Sequence, residues 1–181
     1  MFNIDRRRLK SQEEIKMAFL ELISEKHFDD ITMSDISDMA NVSRSTIYSN
    51  YSDKFDLLDH LIKEHMDEMR ELYETASEID FFEANKVWFE YIKDHYLFFS
   101  TMLASNGPDY FCTHFCKFLE EEFKNILNVN VGKNRGINEE IILQFVMSSY
   151  FGIVEWWVKN KMPYSPYVMA EQVGILMERN L

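Results

Sequence analysis

Glycine and proline are scarce in this chain, five and three among 181 residues. Both interrupt helices, so long stretches without either predict a helical protein. Cysteine is scarcer still, limited to Cys112 and Cys116. Four residues apart in an aromatic segment, they read as packed thiols and not as a disulfide, with a thiol-oxidation sensor as the rival reading. No uninterrupted apolar run approaches the roughly 20 residues that a bilayer-spanning helix needs, and no signal-peptide pattern opens the chain. A cytoplasmic protein without a membrane partner is expected. Enzyme signatures are lacking too: no phosphate-cradling glycine loop, no nucleophile elbow, no HExxH. The expectation is no enzyme, no catalytic residue and no cofactor.

Positive charge is in short supply, 19 Lys and Arg against 31 Asp and Glu, for a net charge of −12. Acidity of that size argues against a nucleic-acid partner until its distribution is considered. Residues 1–55 carry eight basic and ten acidic side chains, a net of −2, leaving −10 for the remainder. Arg6, Arg7, Arg8 and Lys10 cluster before the first amphipathic run. A local basic edge therefore survives at the N-terminal end.

What is present is apolar bulk, 46% hydrophobic and 15% aromatic, enough for one domain or for a small head on a larger body. In "SQEEIKMAFLELISEKHF" Ser11 and Glu14 have capping-box spacing, and Ile15, Ala18, Phe19, Leu22 and Ile23 share one helical face. A short helix over about 34–40 follows, capped by Thr32 or Ser34, with Ile36, Met39 and Ala40 inward. Asn41 stands where a tight turn needs left-handed backbone, Val42 plugs that turn, and Ser43 caps a second short helix ending near Asn50. Ile47 and Tyr51 are its inward residues. A long helix from Ser52 or Asp53 to about 76 comes next. One or two helices, broken near His95, then lead to a break at "NGP" (106–108). Further helices cover "DYFCTHFCKFLEEEFKNIL", "EEIILQFVMSSYFGIVEWWVKN" and, capped by Ser165, "YVMAEQVGILMERN", with a polar glycine-bearing loop at 128–138. The expectation is an all-α chain of about nine helices. A three-helix head at 1–54 is joined by the long helix to a helical body at 55–181.

Two short helices around a tight turn, the second polar on its outer face, have the geometry of a helix-turn-helix. Ser43 and Ser45 put hydroxyls near a helix N-terminus, Arg44 can pair two-pronged with guanine or phosphate, and Lys54 stands where the DNA backbone would pass. The stretch "ITMSDISDMANVSRSTIYSNYSDKFDLL" resembles the DNA-binding segment of the TetR family of bacterial regulators. The shared features are Thr32, Ile36–Ser37, Asn41–Val42, Ser43, Thr46–Tyr48, Tyr51, Lys54 and "DLL". Asn41 replaces the family's favoured glycine, and Tyr51 its usual phenylalanine. The resemblance implies that helix 44–50 enters the major groove. Arg44, Ser45, Thr46, Ser49 and Asn50 would reach bases or phosphates, while Tyr48, Lys54, Thr32 and Ser43 clamp the backbone. Tyr51 is counted with this set, and Arg6, Arg7, Arg8 and Lys10 would form an arm before helix one that lies along the minor groove.

A head of this size makes few base contacts, so homodimerisation onto a palindromic operator is expected. "ILQFVMSSYFGIVEWW" is apolar nearly all round, and Ser148 and Gly152 permit close helix approach. The resemblance places the dimer interface on the last two long helices, here at Ser148, Phe151, Gly152, Glu155, Trp156, Val173 and Leu176. Gly152 to Trp156 followed by the Ser165–Pro166 cap resembles a C-terminal domain of the family's Firmicutes branch. In such bodies aromatic residues surround a ligand cavity. The candidates are Trp88, Tyr91, Ile92, Phe99, Met102, Phe111, Phe115, Phe118 and Tyr150, and the ligand would be small and apolar or aromatic. The implied function is a ligand-controlled repressor; a protein-interaction module with a vestigial head is the alternative from another class. Asp56, His60 and Glu64 share a helix face but read as solvated charges, so no metal site is expected.

Overall fold

The structure, a computed structural model of the chain, describes residues 2–77, 81–104, 107–126 and 134–180. Among these it contains nine α-helices and no strand: α1 (Phe2–Glu25), α2 (Met33–Met39), α3 (Arg44–Asn50), α4 (Lys54–Ser77), α5 (Phe81–Asp94), α6 (Tyr96–Met102), α7 (Asp109–Ile126), α8 (Glu139–Lys159) and α9 (Pro166–Asn180). The all-α expectation holds. Asn106 and most of the 128–138 loop lie outside the described residues.

The head is a small three-helix unit closed from behind by α4. Ile15, Phe19 and Ile23 from α1, Ile36 from α2 and Ile47 from α3 are fully buried together with Leu57 and Leu58 of α4. Thr32 caps α2 with a reciprocal box: its hydroxyl accepts from the Asp35 amide at 3.2 Å, and the Asp35 carboxylate accepts from the Thr32 amide at 2.8 Å. The Lys26 ammonium, then these Thr32 donors, hold the Asp35 carboxyl down at about 2. Asn41 takes φ 53°, as its place in the turn requires, and Ser43 caps α3 through the Thr46 amide.

Two local expectations fail. Ser11 and Glu14 do not begin a helix, because α1 already runs from Phe2. Nothing in "FNIDRRRLK" breaks a helix, and Ser11 satisfies its hydroxyl mid-helix by donating to the Arg7 carbonyl at 3.0 Å. Arg6, Arg7, Arg8 and Lys10 are therefore exposed side chains on the first turns of α1 and not an extended arm. Met39, expected inward, is 39% exposed; the last turn of the short α2 leaves that side of the helix open to solvent.

α4 continues into the body. Met66, Met69 and Tyr73 are buried there, and the Trp88 indole donates to the Met69 carbonyl at 2.9 Å. α5 packs between α4 and α9, while α7 packs on α8 and α4. Arg70 of α4 grips α7, with Nε donating to the nearly buried Glu122 at 2.8 Å and Nη2 to Glu121 at 3.2 Å. The α5–α6 chain bends at His95, as the sequence suggested.

By length and composition α8 is the one described helix apolar enough to cross a bilayer. Its inner face is packed, with Val154 and Trp157 fully buried. Its outer face is apolar as well: Ile141, Phe145 and Trp156 are 64%, 56% and 47% exposed, in register with exposed Ser148 and Gly152. A side chain added at Gly152 would meet nothing within 4 Å. On α9, Ile175 and Leu176 are exposed apolar residues as well.

Gly107, by contrast, is required by the fold. A Cβ there would lie 2.5 Å from the Met102 carbonyl oxygen and 2.7 Å from that of Thr101, at the end of α6. Gly107→Ala is expected to destabilise the protein by about 1–3 kcal/mol, the usual range when an added carbon is forced into a filled space. Gly152→Ala is expected to leave the protomer as stable or slightly more so, by up to ~1 kcal/mol of helix propensity. Urea unfolding of the two variants beside the wild type tests both.

Candidate nucleic-acid interface

The outer face of α3 presents Arg44, Ser45, Tyr48 and Ser49 to solvent, with Tyr48 57% exposed. Thr46 and Asn50 are half-buried at its edges. Arg44 Nη2 donates to Ser34 Oγ on α2 at 3.0 Å, which leaves further guanidinium donors facing outward. Ser43 and Thr46 share a hydroxyl contact of 2.8 Å, and the Ser49 hydroxyl donates to the Thr46 carbonyl at 2.7 Å. Asn50 is committed inside the head: its amide nitrogen donates to the Thr46 carbonyl at 2.8 Å and its oxygen accepts from Arg8 Nε at 3.2 Å. That second bond sets the basic start of α1 beside the C-terminal end of α3, so both belong to one surface.

Three of the expected contact residues have other duties. Tyr51 is 4% exposed, with its ring edge-on to His60 at 5.5 Å, and is a core residue. A ring at that position closes the gap beneath α3 and cannot reach DNA. Lys54 is held by the carbonyls of Phe28 and Asp29 at 3.0 and 2.8 Å and lies over the Phe28 ring at 4.7 Å. Two of its three N–H donors are used, which leaves one for a phosphate. Thr32 is exposed, but its hydroxyl belongs to the α2 cap.

Two family models match this chain. One, described as "Bacterial regulatory proteins, tetR family", covers residues 18–61, and the other, "Transcriptional regulator C-terminal region", covers 80–179, more than half of the chain. The chain belongs to the TetR family of transcriptional regulators. A TetR regulator from Streptococcus agalactiae 2603V is 26% identical and superposes with a TM-score of 0.72, over 95% of this chain and 98% of that one. A TetR-family regulator from Syntrophomonas wolfei, 17% identical, shares the fold with a TM-score of 0.69 over 93% of this chain and 92% of that one. The HTH-type regulator YxbF of Bacillus subtilis is 24% identical over 178 residues; the match takes in 93% of this chain and 45% of that protein, so the chain spans less than half of that relative's length. Within the matched residues 18–61 of this TetR-family chain, α2, the Asn41 turn and α3 form the helix-turn-helix.

The body residues expected around a ligand are all buried and pack on one another. Phe111 stacks on Phe115 at 5.5 Å, and Trp88 meets Phe118 at 5.4 Å and Tyr150 at 5.7 Å. Ile92, Phe99 and Met102 are buried in the same core. The Tyr150 hydroxyl is buried with no hydrogen-bond partner among the described residues. Tyr91 is different: its ring is in the core, but its hydroxyl donates to Glu68 Oε2 at 2.8 Å and lies 2.6 Å from His65 Nδ1. Burial, then that Glu68 contact, raises the phenol's pKa and keeps it protonated. Burial, then the nearby His95, pulls His65 down to about 3. Sequence reasoning missed this group, although His65 and Glu68 stand one helical turn apart.

Of the expected dimer residues, Ser148, Gly152, Trp156 and Leu176 face outward, while Phe151 and Glu155 are half-buried. Val173 is 2% exposed and belongs to the protomer's own core, because that face of α9 packs on α5. Cys112 and Cys116 are free and half-buried. Burial, then the charge of Glu155, pushes both thiols above their ordinary pKa, which disfavours the reactive thiolate that a sensor needs. Asp56 and His60 pair at 3.1 Å, whereas Glu64 is engaged with Lys16, so that trio does not converge.

Two tyrosines three residues apart differ in burial, Tyr48 being exposed and Tyr51 buried. Tyr48→Ala is expected to leave thermal stability unchanged and to weaken DNA binding by about 10- to 150-fold at every sequence, one hydrogen bond to a charged phosphate being worth ~1.5–3 kcal/mol. Tyr51→Ala is expected to cost about 3–5 kcal/mol of stability as a core truncation. Melting curves and fluorescence anisotropy on the same preparations test both; unchanged affinity in the Tyr48 variant would count against this docking face.

Proposed function

We propose that the protein is a homodimeric repressor that binds a palindromic operator and releases it on binding a small apolar or aromatic ligand. Residues 1–54 act as the DNA-reading head and 55–181 as the dimer and effector body. One observation carries the dimeric reading: the outward stripe Ile141, Phe145, Ser148, Gly152 and Trp156, apolar along α8, with Ile175 and Leu176 exposed on α9. A monomer gains nothing from exposing such a surface, and the open space at Gly152 suits a second helix lying close. Two copies joined there carry two α3 helices, which matches the two-fold symmetry of a palindrome. Repression needs only that these surfaces cover the operator. A DNA target makes a cytoplasmic location the consistent one.

The unpartnered Tyr150 hydroxyl supports the ligand reading. A buried hydroxyl without a partner costs free energy, and a ligand's polar group entering the aromatic core would satisfy it. Tyr150→Phe is expected to stabilise the ligand-free protein by about 1–3 kcal/mol in urea unfolding. Destabilisation instead would mean that the hydroxyl already has a partner.

The operator reading is tested with labelled DNA from upstream of the protein's own gene, by anisotropy at two salt concentrations. Binding that survives non-specific competitor and weakens steeply with salt supports it, since phosphate contacts displace counterions. Phe145→Asp with Trp156→Asp is expected to give folded monomers by light scattering and to lose operator affinity. A dimer that persists in this double variant would place the interface elsewhere.

A further inference from the structure

At the joint between head and body, α1, α4 and the α5–α6 bend enclose a cleft of about 410 Å³. His65 and Glu68 enter it from α4 and His95 from the bend, and one ligand atom from each lies within 4.8 Å of the other two. His95 occupies the N-cap position of α6 at φ −103°, ψ 34°, yet its side chain makes no capping bond. Its ring lies instead 4.2 Å from that of Tyr91 and 4.9 Å from that of His65.

The Tyr91 hydroxyl orders this cluster. Its single proton goes to Glu68, so its oxygen must accept from His65 Nδ1–H, and the other ring nitrogen, Nε2, keeps its lone pair. An imidazole tied through one nitrogen and bare at the other, beside a hydrogen-bonded carboxylate, is the arrangement that orients metal ligands. Four carboxylates of the cleft, Glu13, Glu64, Glu68 and Asp94, face one ammonium, that of Lys16. The surroundings therefore favour a cation.

We propose that His65, Glu68 and His95 bind a divalent first-row transition metal of the zinc type, which clamps α4 to the α5–α6 bend. Two imidazoles and a carboxylate are a ligand set that such metals favour. Around a metal with bonds of ~2.1 Å, ligand atoms stand about 3.4 Å apart, so the cluster contracts by roughly an ångström. Rotation of the exposed Glu68 and the uncapped His95 supplies that movement.

The test uses the whole 181-residue chain after chelator treatment, titrated with Co²⁺ by visible absorption and with Zn²⁺ by calorimetry. Saturable uptake of one metal per protomer is expected, with a rise in melting temperature. Glu68→Gln and His95→Gln, both outside the packed core, are expected to fold normally and to lose at least about 100-fold in affinity, more than loss of a supporting contact costs. His60→Gln, on the neighbouring exposed pair, is expected to bind as the wild type does. No saturable uptake by the wild type, unchanged affinity in both Gln variants, or loss of uptake in His60→Gln would each overturn the proposal.

Discussion

Both halves of the molecule are closed by the same helix. The first turns of α4 bury Leu57, Leu58, Leu61 and Ile62, the first two against the head, and its later turns bury Met66, Met69 and Tyr73 in the body. An apolar face shared in this way leaves no swivel between the two cores. Polar contacts reinforce it on the head side, where Lys16 of α1 donates to Glu64 at 2.6 Å and Lys54 holds the Phe28 and Asp29 carbonyls. On the body side the grips are Arg70 on Glu122 and the Trp88 indole on the Met69 carbonyl. A change in how α4 sits against the body must therefore move α3. That is the mechanical requirement for any signal from body to DNA, whatever its chemistry.

The head also shows the difference between a polar side chain and an available one. Residues 43–50 hold many hydrogen-bonding groups, and a sequence counts them all as potential readers of DNA. In the fold several are already spent. Asn50 bridges Arg8 and the Thr46 carbonyl, Ser49 turns its proton back to the same carbonyl, and Thr32 is a cap. Those that remain outward, Arg44, Ser45 and Tyr48, lie on one side of α3. Internal bonds hold the backbone still while that side is presented, so less order has to be created on binding.

Much of this was legible in the sequence because it is local. The caps at Thr32, Ser43 and Ser165, the left-handed Asn41, the bend at His95 and, Met39 apart, the inner faces of the head helices follow from neighbouring residues alone. The misreadings came from position in the third dimension. Ser11 looked like a cap because its spacing to Glu14 is that of one, but helix-forming residues on both sides let α1 run through it. Met39 and Val173 fall on faces whose exposure depends on helices distant in the sequence, whereas Tyr51 is inward as its spacing predicts and is misplaced only among the DNA contacts. The histidine–carboxylate cluster joins positions 65, 68 and 95, and no local pattern announces the third member.

Two features of the body bear on what could act on α4, and Tyr91 connects them. Its ring is part of the aromatic core, edge-on to Phe99 at 6.3 Å, and Phe99 faces Phe111 and Phe115. Its hydroxyl leaves that core to bond Glu68 and His65 in the cleft. A rigid phenol cannot move at one end only. An object wedged into the packed rings would shift the hydroxyl away from α4, and a metal drawing His65 and Glu68 towards His95 would pull on the ring. Close packing makes such displacements discrete, since rings at van der Waals contact must re-pack and cannot yield gradually. Under the two proposals, a ligand in the core and a metal in the cleft would act on α4 through one side chain, and occupancy of either would change what it costs to occupy the other.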